Sequence, residues 1–410
     1  MFQFTLTSFI LVSTIAVSVA DWSQWRGANR DGHSDGAAWP ESLEENHLKQ
    51  TWRVELGKSY SGPIVYGGIV YTTESVDDEK EAVRAFDLAT GEQKWATDWE
   101  GSMRVPFFAR KNGSWIRSTP ATDGESLFVA GMRDVLLCID AKTGKEQWRM
   151  DFPKELGAEP PAFGFVCSPL LIGDSVIVQA GASTVRLKKS TGEVVWRSLE
   201  DDGGMNGSAF SSPLLANIGG SEQLLVQSRK ELCGLAPDSG SVLWRQEVPA
   251  FRGMNILTPV VDNGRVFTST YGGKSFSYQI SRSEDGKEWK PSIAWELKQQ
   301  GYMSTPVVIG GHAYIHLRNK KFACVDLATG KERWETKKTF GEYWSLIAQG
   351  DRILALSEDG TLRIIRANPE EFDVISERKV AEGDTWAHIA VSGSKVMVRE
   401  LEALTVFDWK

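Results

Sequence analysis

Histidine and cysteine are scarce in this chain, five and four among 410 residues, and neither forms a haem or zinc signature. No Cys-x-x-Cys-His attachment site occurs. His312 and His316 have the i, i+4 spacing of a helical zinc pair, but His312-Ala-Tyr-Ile-His316 reads as a strand, where those positions stand roughly 13 Å apart. No metal site is expected. Positive charge is not in excess either: 46 basic against 54 acidic residues leave a net charge of -8 and a pI near 5.4, which argues against neutralising nucleic-acid phosphates or coating an anionic membrane. Any anion site must be local. Gly-x-Ser-x-Gly, EF-hand and phosphate-cradling loops are absent, although Glu200-Asp201-Asp202-Gly-Gly-Met-Asn206 gathers three acids and an Asn in one loop.

Only one stretch is long, apolar and free of charge. Residues 4–20, FTLTSFILVSTIAVSVA, end on Ser18-Val19-Ala20, the small-x-small pattern of signal peptidase, so residues 1–20 are expected to be a secretory signal. The mature protein is then expected in the periplasm or outside the cell, with no membrane span. That space permits disulfides, yet Cys138 and Cys324 sit at equivalent positions of a repeat and Cys233 one residue further out in its own. Equivalent positions of different repeats are too far apart to bridge, so these cysteines are expected to be small buried packing residues.

What the chain has in abundance is Trp and Gly, 16 and 39 residues, and they recur together. Ala85-Phe-Asp87-Leu-Ala-Thr-Gly91-Glu-Gln-Lys-Trp95, Cys138-Ile-Asp140-Ala-Lys-Thr-Gly144-Lys-Glu-Gln-Trp148 and Cys324-Val-Asp326-Leu-Ala-Thr-Gly330-Lys-Glu-Arg-Trp334 share small-x-Asp-x-x-Thr-Gly-x-x-x-Trp. Weaker copies end at Trp196 and Trp244. Each copy follows runs rich in Val, Ile and Leu, giving four short strands per unit with Thr-Gly as the last hairpin turn. A Ser, Thr or Gly followed by Pro opens six units, at Pro63, Pro120, Pro169, Pro213, Pro259 and Pro306, where a strand's first residue needs no ladder hydrogen bond.

Trp52, Trp95, Trp148, Trp196, Trp244, Trp295 and Trp334 recur at about the length of a four-stranded propeller blade. Residues 48–57 form a lone strand ahead of the first unit, while 385–410 supply three strands without a fourth. Joining them closes a ring and removes its free edges. The predicted fold is therefore an all-β, eight-bladed propeller of four-stranded antiparallel blades, spanning 48–410 and closed by an N-terminal strand completing the last blade. The blades are expected at 62–99, 118–152, 168–199, 211–248, 258–297, 304–336, 344–380, and 385–410 with 48–57.

The repeat resembles the tryptophan-docking unit of quinoprotein (pyrroloquinoline quinone) dehydrogenase propellers and of their non-catalytic, BamB-like relatives. The resemblance implies that Trp95, Trp148, Trp196, Trp244 and Trp334 wedge between neighbouring blades while Asp87, Asp140 and Asp326 fix the turns. These are packing roles. Residues 21–47, opening Asp21-Trp22-Ser-Gln-Trp25-Arg26-Gly27, resemble a leader found on exported members; with Trp39 they are expected to latch onto the propeller.

Chemistry is expected on the face that carries the inter-blade loops, which place aromatic, Met, Asn or Arg side chains ahead of the innermost strands. The candidate funnel residues are Arg104, Phe108, Arg117, Phe165, Asn206, Arg252, Asn255, Tyr302, Trp344, Trp386 and His388. Arg133, Arg229, Lys230, Lys274, Arg318 and Lys320 on the same face predict a locally positive rim. The leading expectation is a monomeric, exported, non-catalytic scaffold that binds a protein, a peptide or a small anionic ligand there, with no nucleic acid and no cofactor. The alternative is an oxidoreductase holding pyrroloquinoline quinone with calcium in the channel, with Trp115, Trp344 or Trp386 as stacking floor and Arg117 or Arg252 on the quinone carboxylates. Against it stand the short chain and the absence of the adjacent Cys-Cys pair found in several such enzymes.

Overall fold

The computed structural model describes residues 21–410 apart from Ala37 and Ser208; the expected signal segment 1–20 lies outside the described residues. Thirty-two strands form eight four-stranded antiparallel sheets. Seven are consecutive in sequence, running Ile64–Glu100, Ala121–Asp151, Leu170–Ser198, Leu214–Glu247, Val260–Leu297, Val307–Glu335 and Trp344–Lys379 from first strand to last. In the eighth, Ala390–Ser392, Lys395–Glu400 and Ala403–Trp409 are joined by Leu48–Glu55, which pairs antiparallel with the last strand of the chain. The first strand of each blade is innermost. Innermost strands touch between the second and third, fifth and sixth, sixth and seventh, and eighth and first blades, and the last of these contacts closes the ring.

The repeat has a local physical cause. Ala85, Cys138 and Cys324 lie directly across from Trp95, Trp148 and Trp334, and each ladder shifts register by a bulge beside that pair. In these three blades a small residue opposite the indole gives the ring room to lean onto the next blade, while Trp52 and Trp196 lean the same way across from Val406 and Arg186. On the next blade the Nε1–H donates to a turn carbonyl: Trp52 to Leu88, Trp95 to Ala141, Trp148 to Lys189, Trp196 to Pro237, Trp295 to Leu327 and Trp334 to Asn368, at 2.8–3.1 Å. Asp87 caps its turn through the N–H groups of Ala89 and Thr90, and Asp140 does the same for Lys142 and Thr143. Trp244 behaves otherwise. The fifth blade has a longer last hairpin without Thr-Gly, and the Trp244 indole donates to Gln223 of its own blade at 2.7 Å.

The Ser or Thr before each opening Pro forms a second seam. Gly62 N–H donates to Thr119 Oγ1, Thr119 N–H to Ser168 Oγ, Ser168 N–H to Ser212 Oγ, Ser212 N–H to Thr258 Oγ1 and Thr258 N–H to Thr305 Oγ1, at 2.9–3.1 Å. Trp344 N–H onto Ser304 Oγ and Ile389 N–H onto Ser345 Oγ continue it. A belt of hydroxyls thus satisfies backbone donors that face a neighbouring blade rather than a strand. All four cysteines are buried and unpaired with one another. No helix among the described residues is long and apolar enough to cross a membrane.

Candidate functional site

The central channel is occupied by the chain itself. Trp22 pairs with Val65 on the innermost strand of the first blade, and Ser23 O accepts from Thr122 N–H of the second. Gln24 Oε1 accepts from Leu171 N–H of the third, at 2.9 Å. Arg26 reaches the carbonyls of Thr305 and Pro306 at the sixth blade, and Arg30 those of Ser168 and Pro169 at the third. Gly32 and Ser34 then hydrogen-bond to Ala348 of the seventh. Residues 22–34 therefore bond to five of the eight innermost strands. Beyond them Trp39 is buried, and its carbonyl accepts from Arg352.

Two buried guanidinium groups hold this plug, 1% and 2% exposed at Arg26 and Arg30. Neither is paired with a carboxylate; each donates to carbonyls and lies against the Trp25 ring, 5.6 and 5.5 Å from its centroid. Burial holds both well below the usual arginine range, at about 10, so they remain cationic at neutral pH. Gly32 is required here: its φ is +78°, and a Cβ would stand 2.7 Å from Arg26 Nη2. The eighth blade supplies His388, buried edge-on to Trp25 at 5.9 Å, and burial with the nearby Arg26 cation drives its pKa down to about 3.

The expected funnel residues do not share one surface. Trp386 stacks on Tyr343 at 5.9 Å and lies 5.7 Å from Tyr60, which also meets Trp115 at 5.2 Å; these four rings line one side of the channel mouth. Arg117 turns back to the carbonyls of Gly113 and Trp115 in its own loop, and burial lowers its pKa to about 10. Phe165 is core, beside Phe152 at 6.2 Å. Asn255 is fully buried and donates to the carbonyls of Ser228, Arg229 and Val248. Trp344, also fully buried, is packed against His316, Phe322 and Phe340. Four of the eleven, Phe165, Asn255, Trp344 and His388, are therefore placed inside the ring rather than on its face. They stand where a loop enters an innermost strand, and there the pleat turns residues into the blade as often as toward the axis.

The rest lie on the loop face. Asn206 and Arg252 line a groove of about 1240 Å³ with Asp202, Lys230, Arg245 and Pro249. The Arg252 guanidinium lies over the exposed Phe251, 5.1 Å from its centroid, and Met205 is exposed nearby. Tyr302 meets Tyr271 at 4.7 Å, and Arg318 covers Tyr271. Arg104 is exposed, and so is Phe108, which touches Phe107 and Phe163. The predicted positive rim is partly cancelled: Lys274 pairs with Glu296 and Lys320 with Glu342, while Arg229 is buried on the carbonyls of Met205 and Arg252. The leader arginines and Tyr60 were not among the expected channel residues, because a leader's sequence does not say which surface it covers.

No group of three or more metal-binding side chains occurs among the described residues. Of the residues named for a quinone, Trp115 and Trp386 meet around Tyr60 at the mouth, while the other three are otherwise engaged. Trp344 is sealed in a blade, Arg117 is spent on its own loop, Arg252 belongs to the groove, and residues 22–34 fill the channel.

Residues 79–336, more than half of the chain, match the family described as outer membrane protein assembly factor BamB. The chain belongs to this family. Its similarity to the BamB of Moranella endobia (strain PCIT) is 22% identity over 357 residues, covering 82% of this chain and 84% of that one. The crystal structure of BamB from Moraxella catarrhalis superposes with a TM-score of 0.64 at 15% identity, over 88% of this chain and 98% of that one. The quinohemoprotein alcohol dehydrogenase of Comamonas testosteroni gives 0.68 at 13% identity, over 95% and 80%. At such identities the structural likenesses speak for the propeller alone, and membership in the BamB family rests on the sequence match.

Proposed function

We propose that this protein is a non-catalytic interaction scaffold, exported to the periplasm, which binds a protein or peptide segment at its loop face as a monomer. The observation that carries the reading is the plugged channel: residues 22–34 occupy the axis, which turns attention to the loop face and its groove lined by Asn206 and Arg252. The groove has both signs of charge on its walls, and the exposed Met205 and Phe251 adjoin its lining residues Asn206 and Arg252 in sequence, the composition of a polar, partner-reading surface. The BamB relatives are outer membrane protein assembly factors, which supports a role in handling other polypeptides rather than a redox reaction.

The test is selection of displayed peptides on the full-length protein, followed by affinity measurement on Phe251→Ser with Arg252→Glu and on Lys145→Glu at a hairpin turn of the opposite face. Loss of at least tenfold in the loop variant alone is the expected outcome. Equal loss in both, or none in either, would remove the groove as the binding surface. Appearance of a bound quinone spectrum after incubation with pyrroloquinoline quinone and calcium would restore the enzymatic alternative.

A further inference from the structure

The loop between the first and second blades is unlike the rest of this acidic protein. From Gly101 to Thr122 it carries Arg104, Arg110, Lys111 and Arg117 and no acidic residue. Arg117 is turned inward, but Arg104, Arg110 and Lys111 are exposed, and among the described residues none of them has an ion-pair partner. Between them a short 3-10 turn, Phe107–Asn112, lifts two phenylalanines into solvent, 79% exposed at Phe107 and 56% at Phe108. The Phe107 and Phe108 rings meet at 5.6 Å, and Pro106 precedes the turn.

A pair of solvated Phe rings ringed by unpaired cations is costly to leave in water and has no pocket of its own. The 1240 Å³ groove is lined by residues from Leu199 to Gly253 and includes none of this loop. A protein partner would have to supply the cavity. A lipid surface supplies one wherever the loop touches it: aromatic rings enter the boundary between headgroups and acyl chains, and the cations stay among anionic headgroups. We propose that Phe107 and Phe108, with Arg104, Arg110 and Lys111, form an interfacial membrane-docking loop selective for anionic lipid. The overall charge of -8 forbids a general attraction to such a surface, so the contact is confined to this arc of the rim. The groove, on loops of the third and fourth blades, stays free beside it.

The experiment is co-sedimentation of the full-length protein with phosphatidylglycerol-containing vesicles and with pure phosphatidylcholine vesicles, at low and high salt. Binding to the anionic vesicles, weakened by salt, is expected. Phe107→Ser with Phe108→Ser, and separately Arg104→Gln with Arg110→Gln and Lys111→Gln, should each reduce it at least tenfold without changing the melting temperature. An environment-sensitive dye on Asn112→Cys should shift to the blue on anionic vesicles; the four native cysteines are buried and leave the label site-specific. No vesicle binding, or binding that survives the Phe pair, overturns the proposal. Binding to polyglutamate but not to vesicles also overturns it, in favour of an acidic protein partner. None of these results bears on the groove, whose test uses Phe251 and Arg252.

Discussion

Replacing Trp148 and Gly192, singly and together, tests whether the ring is held by the indole of one blade resting on the turn of the next. Trp148 donates its Nε1–H to Lys189 O at 2.8 Å, and its ring covers Gly192, where a Cβ would stand 2.7 Å from Cε3. The ring is half-buried, so Trp148→Ala forfeits about 2 kcal/mol of packing rather than the full core value, plus about 1 kcal/mol for the lost hydrogen bond, ~3 kcal/mol in all. Gly192→Ala meets a φ of +73° and the ring together. The backbone part costs about 1–2 kcal/mol and displacing the indole a similar amount, again ~3 kcal/mol. In the double variant the indole is gone and only the backbone part of the second change remains. The two losses should then fall short of additivity by ~1.5 kcal/mol, read from urea unfolding of all four proteins. Additivity within about 0.5 kcal/mol would refute the contact, because it would mean that the Gly is required by the turn alone.

Ser168→Ala removes the acceptor for Thr119 N–H in a buried seam and should cost about 1–3 kcal/mol, whereas Ser168→Thr should retain most of the stability; thermal melting decides. Removing Leu48–Glu55 should leave the eighth blade with three strands and an open edge, and light scattering should show association rather than a cooperative monomer. Burial raises Glu81 from 4.5 to about 8 and Asp134 from 3.8 to about 7, though Glu81 accepts from Met132 N–H and Trp99 Nε1–H and Asp134 from Gly181 N–H. A raised folded pKa gives stability that is full below the unfolded value and lost as pH rises through the folded one, so melting temperature should fall from pH 5 to 9. Glu81→Gln should flatten the upper part of that profile.

The fold was legible because its signals are local and repeated. Thr-Gly demands a positive φ, a Trp recurs on the fourth strand, and a Pro opens each of the first six units, so each unit announces its own geometry. Even the closing strand could be found, since three strands at one end and one at the other leave a single way to satisfy both edges. Trp244 was the exception for a local reason too. The last hairpin of the fifth blade runs on to Arg282 and Trp289, longer than its counterparts, and the sequence pattern, which marks the Trp but not the turn of the next blade, made Trp244 look like the others.

The site was harder to read because its chemistry depends on direction. Trp344 and Trp386 occupy corresponding stretches of the seventh and eighth blades, yet one is sealed among His316, Phe322 and Phe340 while the other stacks on Tyr343 at the mouth. One residue's shift along a pleated strand exchanges those two fates. The leader poses the same difficulty on a larger scale. Its Trp and Arg content says that it must be buried somewhere, but only the ring assembled around it shows that Arg26 and Arg30 meet carbonyls on two separate blades, the sixth and the third. That placement bears on function more than any loop residue does. A channel spanned by two cations bonded to backbone carbonyls has its axis filled by the chain itself, and on that ground recognition is proposed for the loops that rise from the rim.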